Sequence, residues 1–256
     1  MIQAPTRRDR VRAATTQEII QTARKLLVEE GPDAVSLRAI AREMGMTAPA
    51  LYRYFGSREE LLRHLVASIF TEIADHVRTA IHAAAETAGP GLTQPEIMAI
   101  KMIAGCREFR AWALVHVPEF SMLFGSPVPG YDVLHDDPTV ECGRQFGQVF
   151  LDLFGDLYRR RPFPIPADSE IQPALRGQLA RYRDVIGSDL PLGALQTFLR
   201  CWVLLYGTVS LEVFGHLRFA LDDASPMFEL MLADLAPLIG LQYSSAAAPA
   251  ALASRA

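Results

Sequence analysis

Gly45, Met46 and Thr47 separate two short helical patterns, and no other three residues restrict the fold so tightly. Upstream, "SLRAIAREMG" reads as a helix capped by Ser36, with Leu37, Ile40, Ala41 and Met44 on one side and Gly45 as its stop. Downstream, "TAPALYRYF" sets a proline two residues after Thr47. Inside a helix that proline costs about 3 kcal/mol. The cost vanishes if Thr47 is the N-cap. Ala48 is then the first helical residue and Pro49 the second, where an N–H has no intrahelical acceptor to lose. The missing donor further predicts that Thr47 Oγ reaches the N–H of Ala50. Two short helices on so tight a turn describe a helix-turn-helix unit.

A third helix precedes the pair. In "TTQEIIQTARKLLVEEG" the residues Ile19, Ile20, Ala23, Leu26 and Leu27 form one apolar stripe, Thr15 with Glu18 makes a capping box, and Gly31 with Pro32 ends the helix. Ser57 and Glu60 cap a long helix expected over 58–85. In such a unit the second helix of the pair enters the major groove of DNA. At about 100° per residue, Leu51 and Phe55 point inward, while Pro49, Ala50 and Arg53 point away. Tyr52 and Tyr54 flank them, where hydroxyls reach toward phosphates. Arg53 is the one long hydrogen-bonding side chain on the outward face and suits guanine O6 and N7. Ser36, Arg38, Thr47, Ala48 and Arg58 complete the expected DNA-binding set.

Charge agrees with that reading. Residues 1–64 hold 11 Lys and Arg against 8 Asp and Glu, a net of +3, whereas the whole chain is at −4. A basic amino-terminal unit on an acidic body hints at a polyanion partner. Arg7, Arg8, Arg10 and Arg12 precede the first strong helical pattern, where an arm over 1–15 would lie along a groove or be a solvated tail.

Beyond "ETAGPGLTQPE" the patterns become longer and more apolar, with helices expected at 94–117, 119–124, 138–159, 168–186, 192–219 and 225–240. No β-alternation emerges, so the fold class is all-α. The tail 244–256 has nothing to bury and is expected to be disordered. Cys106, Cys142 and Cys201 are odd in number and widely spaced, without a disulfide framework or a metal knuckle. With no apolar leader and no uncharged run near the roughly 20 residues of a membrane span, a reducing cytoplasm and no membrane partner are expected.

The stretch "SLRAIAREMGMTAPALYRYFGSREELL" resembles the DNA-binding signature of TetR-family transcriptional regulators. It matches in the Ile-Ala pair, the glycine turn, the Leu-Tyr-x-Tyr-Phe run and the Ser-basic-Glu-x-Leu that follows. Arg58 stands where the family usually has lysine. "CREFRAWALVHVPEFSMLFGSPVPGY" and "CWVLLYGTVSLEVFGHL" resemble the ligand-binding domain of the WHG subgroup. The resemblance implies a DNA-binding domain over 1–62 and a helical ligand-binding and dimerising domain over 63–243. It implies a homodimer on a palindromic double-stranded operator, repressing until a small, largely apolar effector binds. The last two long helices of such a domain form a four-helix bundle across a two-fold axis. Here 192–219 is apolar nearly all round, which fits, and Leu205, Val209, Glu212, Val213, His216, Phe228, Met231 and Leu235 are the expected interface. Arg107, Arg110, Trp112, His116, Phe120, Phe124, Phe146, Phe150, Trp202 and Tyr206 are the pocket candidates, each of which is otherwise a core residue; Glu119 is a further polar candidate.

Glu212 and His216 share a face at i, i+4, but two ligands do not make a metal site, and an intrahelical or cross-dimer hydrogen bond is the simpler reading. "HDD" at 135–137 reads as the approach to a helix N-cap. Without a nucleophile elbow, P-loop, dinucleotide fingerprint or zincin motif, no enzyme activity, metal or cofactor is expected. The alternative is a helical small-molecule-binding or protein-interaction module that does not read specific DNA; the retained Thr47, Tyr52, Tyr54 and Arg58 argue against it.

Overall fold

The computed structural model describes residues 6–89, 91–125 and 138–243; the tail 244–256 and the 135–137 triplet lie outside them. Among the described residues all regular structure is helical. The helices are α1 (Arg7–Glu30), α2 (Leu37–Glu43), α3 (Ala48–Leu51), α4 (Arg58–Glu86), α5 (Gln94–Val115), α6 (Val117–Phe124), α7 (Pro138–Arg160), α8 (Pro173–Ile186), α9 (Leu192–Val213) and α10 (Ser225–Leu235). Short 3₁₀ turns follow α1 and α10. The chain divides into two compact units, residues 1–75 with 113–146, and residues 76–112 with 147–256. The boundary expected after residue 62 falls inside α4, ahead of this division.

In the first unit the predicted stripe of α1 is buried throughout, as are Leu37 and Ile40 of α2, Leu51, Phe55 and the inner face of α4. Each such side chain contributes roughly 1.5–3 kcal/mol of burial. The start of α1 departs from expectation. Thr6, not Thr15, is the N-cap: its Oγ accepts from Asp9 N (3.2 Å), and the Asp9 carboxylate accepts from Thr6 N (3.0 Å). Thr15 instead donates its hydroxyl to the Val11 carbonyl (3.0 Å), a bond that needs a helix already running. The basic residues expected in an arm are therefore helical from Arg7 onward.

Arg24 ties three helices of this unit together. Its Nε donates to Glu119 of α6 (2.9 Å), and its terminal nitrogens form a two-point bridge to Glu72 of α4. In the same unit Phe70, Phe120, Phe124 and Phe146 form a ring cluster, with Phe120 and Phe124 centroids 4.9 Å apart.

The second unit packs Phe109, Phe150 and Trp202 at ring distances of 5.9–6.5 Å. Two guanidinium–carboxylate forks on α5 reach neighbouring helices: Arg107 to Glu229 of α10 (2.9 and 2.7 Å) and Arg110 to Glu212 of α9 (2.7 and 2.6 Å). Arg110 also donates to Ser225 Oγ (2.8 Å) and lies over the Phe228 ring. The α9 backbone starts tightly against the loop before α8, because a methyl on Gly193 would be driven into the Pro166 carbonyl. α9 is long and apolar enough to cross a membrane by length and composition, and its inward face, including Leu195, Phe198, Leu205 and Val209, is packed into this core.

α9 ends at Val213, short of the expected 219. Gly215 takes the left-handed conformation (φ 71°), and the His216 N–H folds back to the Leu211 carbonyl (2.8 Å), which closes the helix. Glu212 and His216 thus share no helical face, and Glu212 is held by Arg110.

Candidate nucleic-acid interface

α2 leads into α3 through a turn in which Gly45 has φ 63° and the Met46 N–H reaches back to the Ala41 carbonyl (2.8 Å). A residue with a Cβ is strained in that region, so the stop signal in the sequence is a backbone requirement. Ser36 caps α2 by accepting from Ala39 N (3.2 Å), which leaves the neighbouring Arg38 exposed on the first turn.

α3 starts at Ala48 with Thr47 as N-cap and Pro49 in the first turn, as the proline demands. One detail of that reading is corrected. Thr47 makes no side-chain cap; the Ala50 N–H bonds the Thr47 carbonyl instead (2.9 Å), because the turn closes tightly enough for the backbone to satisfy the donor. The regular helix is a single turn, and tighter bonds continue it, Arg53 N to Ala50 O (3.3 Å) and Tyr54 N to Leu51 O (2.8 Å). Leu51 and Phe55 are buried, and Phe55 meets His64 edge-on. Pro49, Tyr52 and Arg53 are exposed, with Ala48, Ala50 and Tyr54 half-buried around them.

Tyr54 is not simply a flank. The Arg12 guanidinium sits over its ring (5.6 Å to the centroid) and donates to the Arg53 carbonyl (3.3 Å). The first turns of α1 therefore abut the residues that follow α3, and Arg7, Arg8, Val11, Arg12, Arg53 and Tyr54 line one open concave surface. In the sequence these arginines read as an arm or a solvated tail; the Thr6–Asp9 box is the signal that they lie on a helix.

Arg58 also has a structural role. Its Nε donates to the Val35 carbonyl (2.7 Å) and one terminal nitrogen to the Pro32 carbonyl (2.8 Å), closing the loop between α1 and α2. Lysine cannot form this planar two-carbonyl grip.

The predicted pocket residues are divided between the two units. His116, Phe120, Phe124 and Phe146 belong to the first unit, where His116 precedes α6 and the three rings join the phenylalanine cluster. Glu119 is buried there against Arg24. In the second unit Arg107 and Arg110 are engaged by Glu229 and Glu212, Trp112 is buried, and Tyr206 stacks on Trp202. Phe150 and Trp202 do line a cavity, with walls that periodicity alone did not single out.

Of the expected interface, Leu205, Val209, Val213, Phe228, Met231 and Leu235 are buried in the single chain, while His216 is exposed past the end of α9. The exposed apolar residues of the same two helices are Val203, Leu204 and Leu211 on α9 and Met227 and Leu230 on α10. Among the described residues no cluster of His, Cys, Asp and Glu is arranged for a metal.

Residues 19–65 match the family described as bacterial regulatory proteins, tetR family, and residues 102–235 match the tetracyclin repressor-like C-terminal domain. An HTH-type transcriptional regulator of Mycobacterium tuberculosis is 31% identical over 210 residues, 82% of this chain and 85% of that protein. Among solved structures, regulatory protein SCO4313 is 31% identical with a TM-score of 0.67, covering 90% of this chain and 98% of that one. A TetR family transcription regulator from Marinobacter aquaeolei VT8 shares the fold at a TM-score of 0.53 and 12% identity, over 88% of this chain and 96% of that one.

Proposed function

The chain belongs to the TetR family of DNA-binding transcriptional regulators, and from that premise we propose that it is a cytoplasmic homodimeric repressor released from its operator by a small-molecule effector. The observation that carries the reading is the exposed face of Pro49, Tyr52 and Arg53 continuing into the basic surface of Arg7, Arg8 and Arg12. Arg53 reads a base edge in the major groove, and Ser36, Arg38, Thr47 and Tyr52 position the element on the backbone. Ala48, Pro49 and Ala50 present a small surface that permits close approach to the bases.

Two copies pair through the exposed stripes of α9 and α10, so that two reading elements meet successive major grooves of a palindromic site. Val203, Gly207 and Leu211 lie on one side of α9, and Met227 and Leu230 on the adjoining α10, a surface that buries against its own copy. Effector binding in the second unit shifts the population to a spacing of reading heads that no longer fits. A 100-fold loss of operator affinity requires about 2.7 kcal/mol of coupling.

The test is a binding assay on operator DNA selected from a random pool. Arg53→Ala relaxes preference at one base pair per half-site, whereas Tyr52→Phe weakens all sequences about equally. Equal losses on cognate and altered sites for both variants refute the assignment of roles.

A further inference from the structure

The second unit contains an apolar cavity of about 60 Å³ bounded by α5, α7, α9, α10 and the segment that follows. Its wall includes Met102, Ile103, Phe150, Phe198, Leu205 and Leu235. The polar groups among its lining residues are few: the thiols of Cys106 and Cys201, the indole of Trp202, and Gln242. No charged residue lines it. Arg107, next to Cys106 in the chain, is forked onto Glu229.

We propose that this cavity is the effector site, that its ligand is a small, uncharged, largely hydrocarbon molecule, and that entry requires lifting the strap formed by residues 241–243. The regulatory half of this statement rests on the effector-released repressor above; the binding half stands apart from it.

Charge is excluded by the wall itself. An ionised group placed here finds no counter-charge among the lining residues, and burying one unpaired costs several kcal/mol. The wall's own thiols obey the same rule: burial pushes Cys106 up to about 12 and Cys201 up to about 11. Both stay as neutral S–H, poor as metal ligands or nucleophiles and suited to apolar contact.

Size points to the strap. An apolar cavity of ~150 Å³ admits benzene, so this one must open to take a ring. Its other walls come from α5, α7, α9, α10 and the short 3₁₀ turn after α10, whereas Leu241 and Gln242 are on a segment outside any helix. Tyr243 fastens that segment by donating to Glu229, the same carboxylate that receives Arg107. Burial, and then the bond to Glu229, raise the phenol above its ordinary pKa, so it remains a donor. Met102 supplies a wall that adapts in shape.

The experiment is titration calorimetry on the full chain with an isosteric pair, naphthalene-2-carboxamide and naphthalene-2-carboxylate, at neutral pH. The carboxamide binds at least about 100-fold more tightly. Ala99→Leu, which fills the cavity, lowers carboxamide affinity at least about tenfold, and Cys106→Ala, which enlarges it, preserves or raises it. Tyr243→Phe raises association and dissociation rates together, about tenfold, measured by stopped flow. Equal or tighter binding of the carboxylate overturns the ligand class. Absence of heat from both compounds, or affinity indifferent to both cavity variants, overturns the site. Unchanged rates in Tyr243→Phe overturn the strap. Carboxamide binding that leaves operator affinity untouched supports the site and overturns the effector-released reading instead.

Discussion

Replacing Arg24 by methionine keeps the side-chain stem but removes the guanidinium that faces Glu72 and Glu119. The two losses differ in size. Glu72 is 31% exposed, so its bridge to Arg24 is screened by water and contributes about 0.5–1 kcal/mol. The Glu119 side chain is only 4% exposed, and Arg24 Nε stands 2.9 Å from its oxygen. A buried carboxylate deprived of its cation costs about 3 kcal/mol. Arg24→Met is therefore expected to lower unfolding free energy by about 3–4 kcal/mol, read from urea denaturation followed by circular dichroism. Adding Glu119→Gln restores about 2 kcal/mol, because a neutral amide is cheaper to bury than an ion. In the wild type the hydrogen bond to Glu72, then that to Glu119, raises the guanidinium pKa and keeps it charged. A loss below about 1 kcal/mol, or a loss that the glutamine does not relieve, refutes the claim that the buried carboxylate sets the cost.

Other expectations follow from the same geometry. Arg7→Ala and Arg8→Ala each reduce the salt dependence of operator binding by about 0.9 in the log–log slope without changing base preference; an unaltered slope removes these residues from the phosphate contacts. Cys106, raised to about 12 in the folded chain, binds a proton that the unfolded thiol loses above about 8.5, so stability falls with rising pH across that interval. Between pH 8.5 and 10 the contribution is about 2 kcal/mol, and Cys106→Ala should flatten that part of the stability profile relative to wild type. Leu211→Glu, on the exposed stripe of α9, is expected to yield folded monomers by light scattering, whereas Leu205→Ala costs the protomer about 2–5 kcal/mol through a core void. Folded dimers in Leu211→Glu would exclude that stripe as the interface.

The reading element was the most legible part of the chain because its signals are local. Pro49 tolerates only the first turn, Gly45 only a left-handed turn, and Leu51 with Phe55 only an inward direction. The fold class follows equally from periodicity. The start of α1 was not legible from the Thr15–Glu18 pair, because the Thr15 hydroxyl is drawn back to Val11 in a running helix and Thr6 supplies the cap instead.

The sequence by itself determined that this chain is helical, where its reading turn lies and which face of that turn looks outward, since each depends on residues a few positions apart. The tertiary structure alone decided which charges are consumed and which apolar faces are spare. Arg58 grips carbonyls of a distant loop, Arg107 and Arg110 meet carboxylates more than a hundred positions away, and Arg24 reaches Glu119 across 95 residues. An apolar stripe states only that it will be covered. Whether its own chain covers it, as at Leu205 and Val209, or leaves it open, as at Val203 and Leu211, is fixed by which helices arrive beside it.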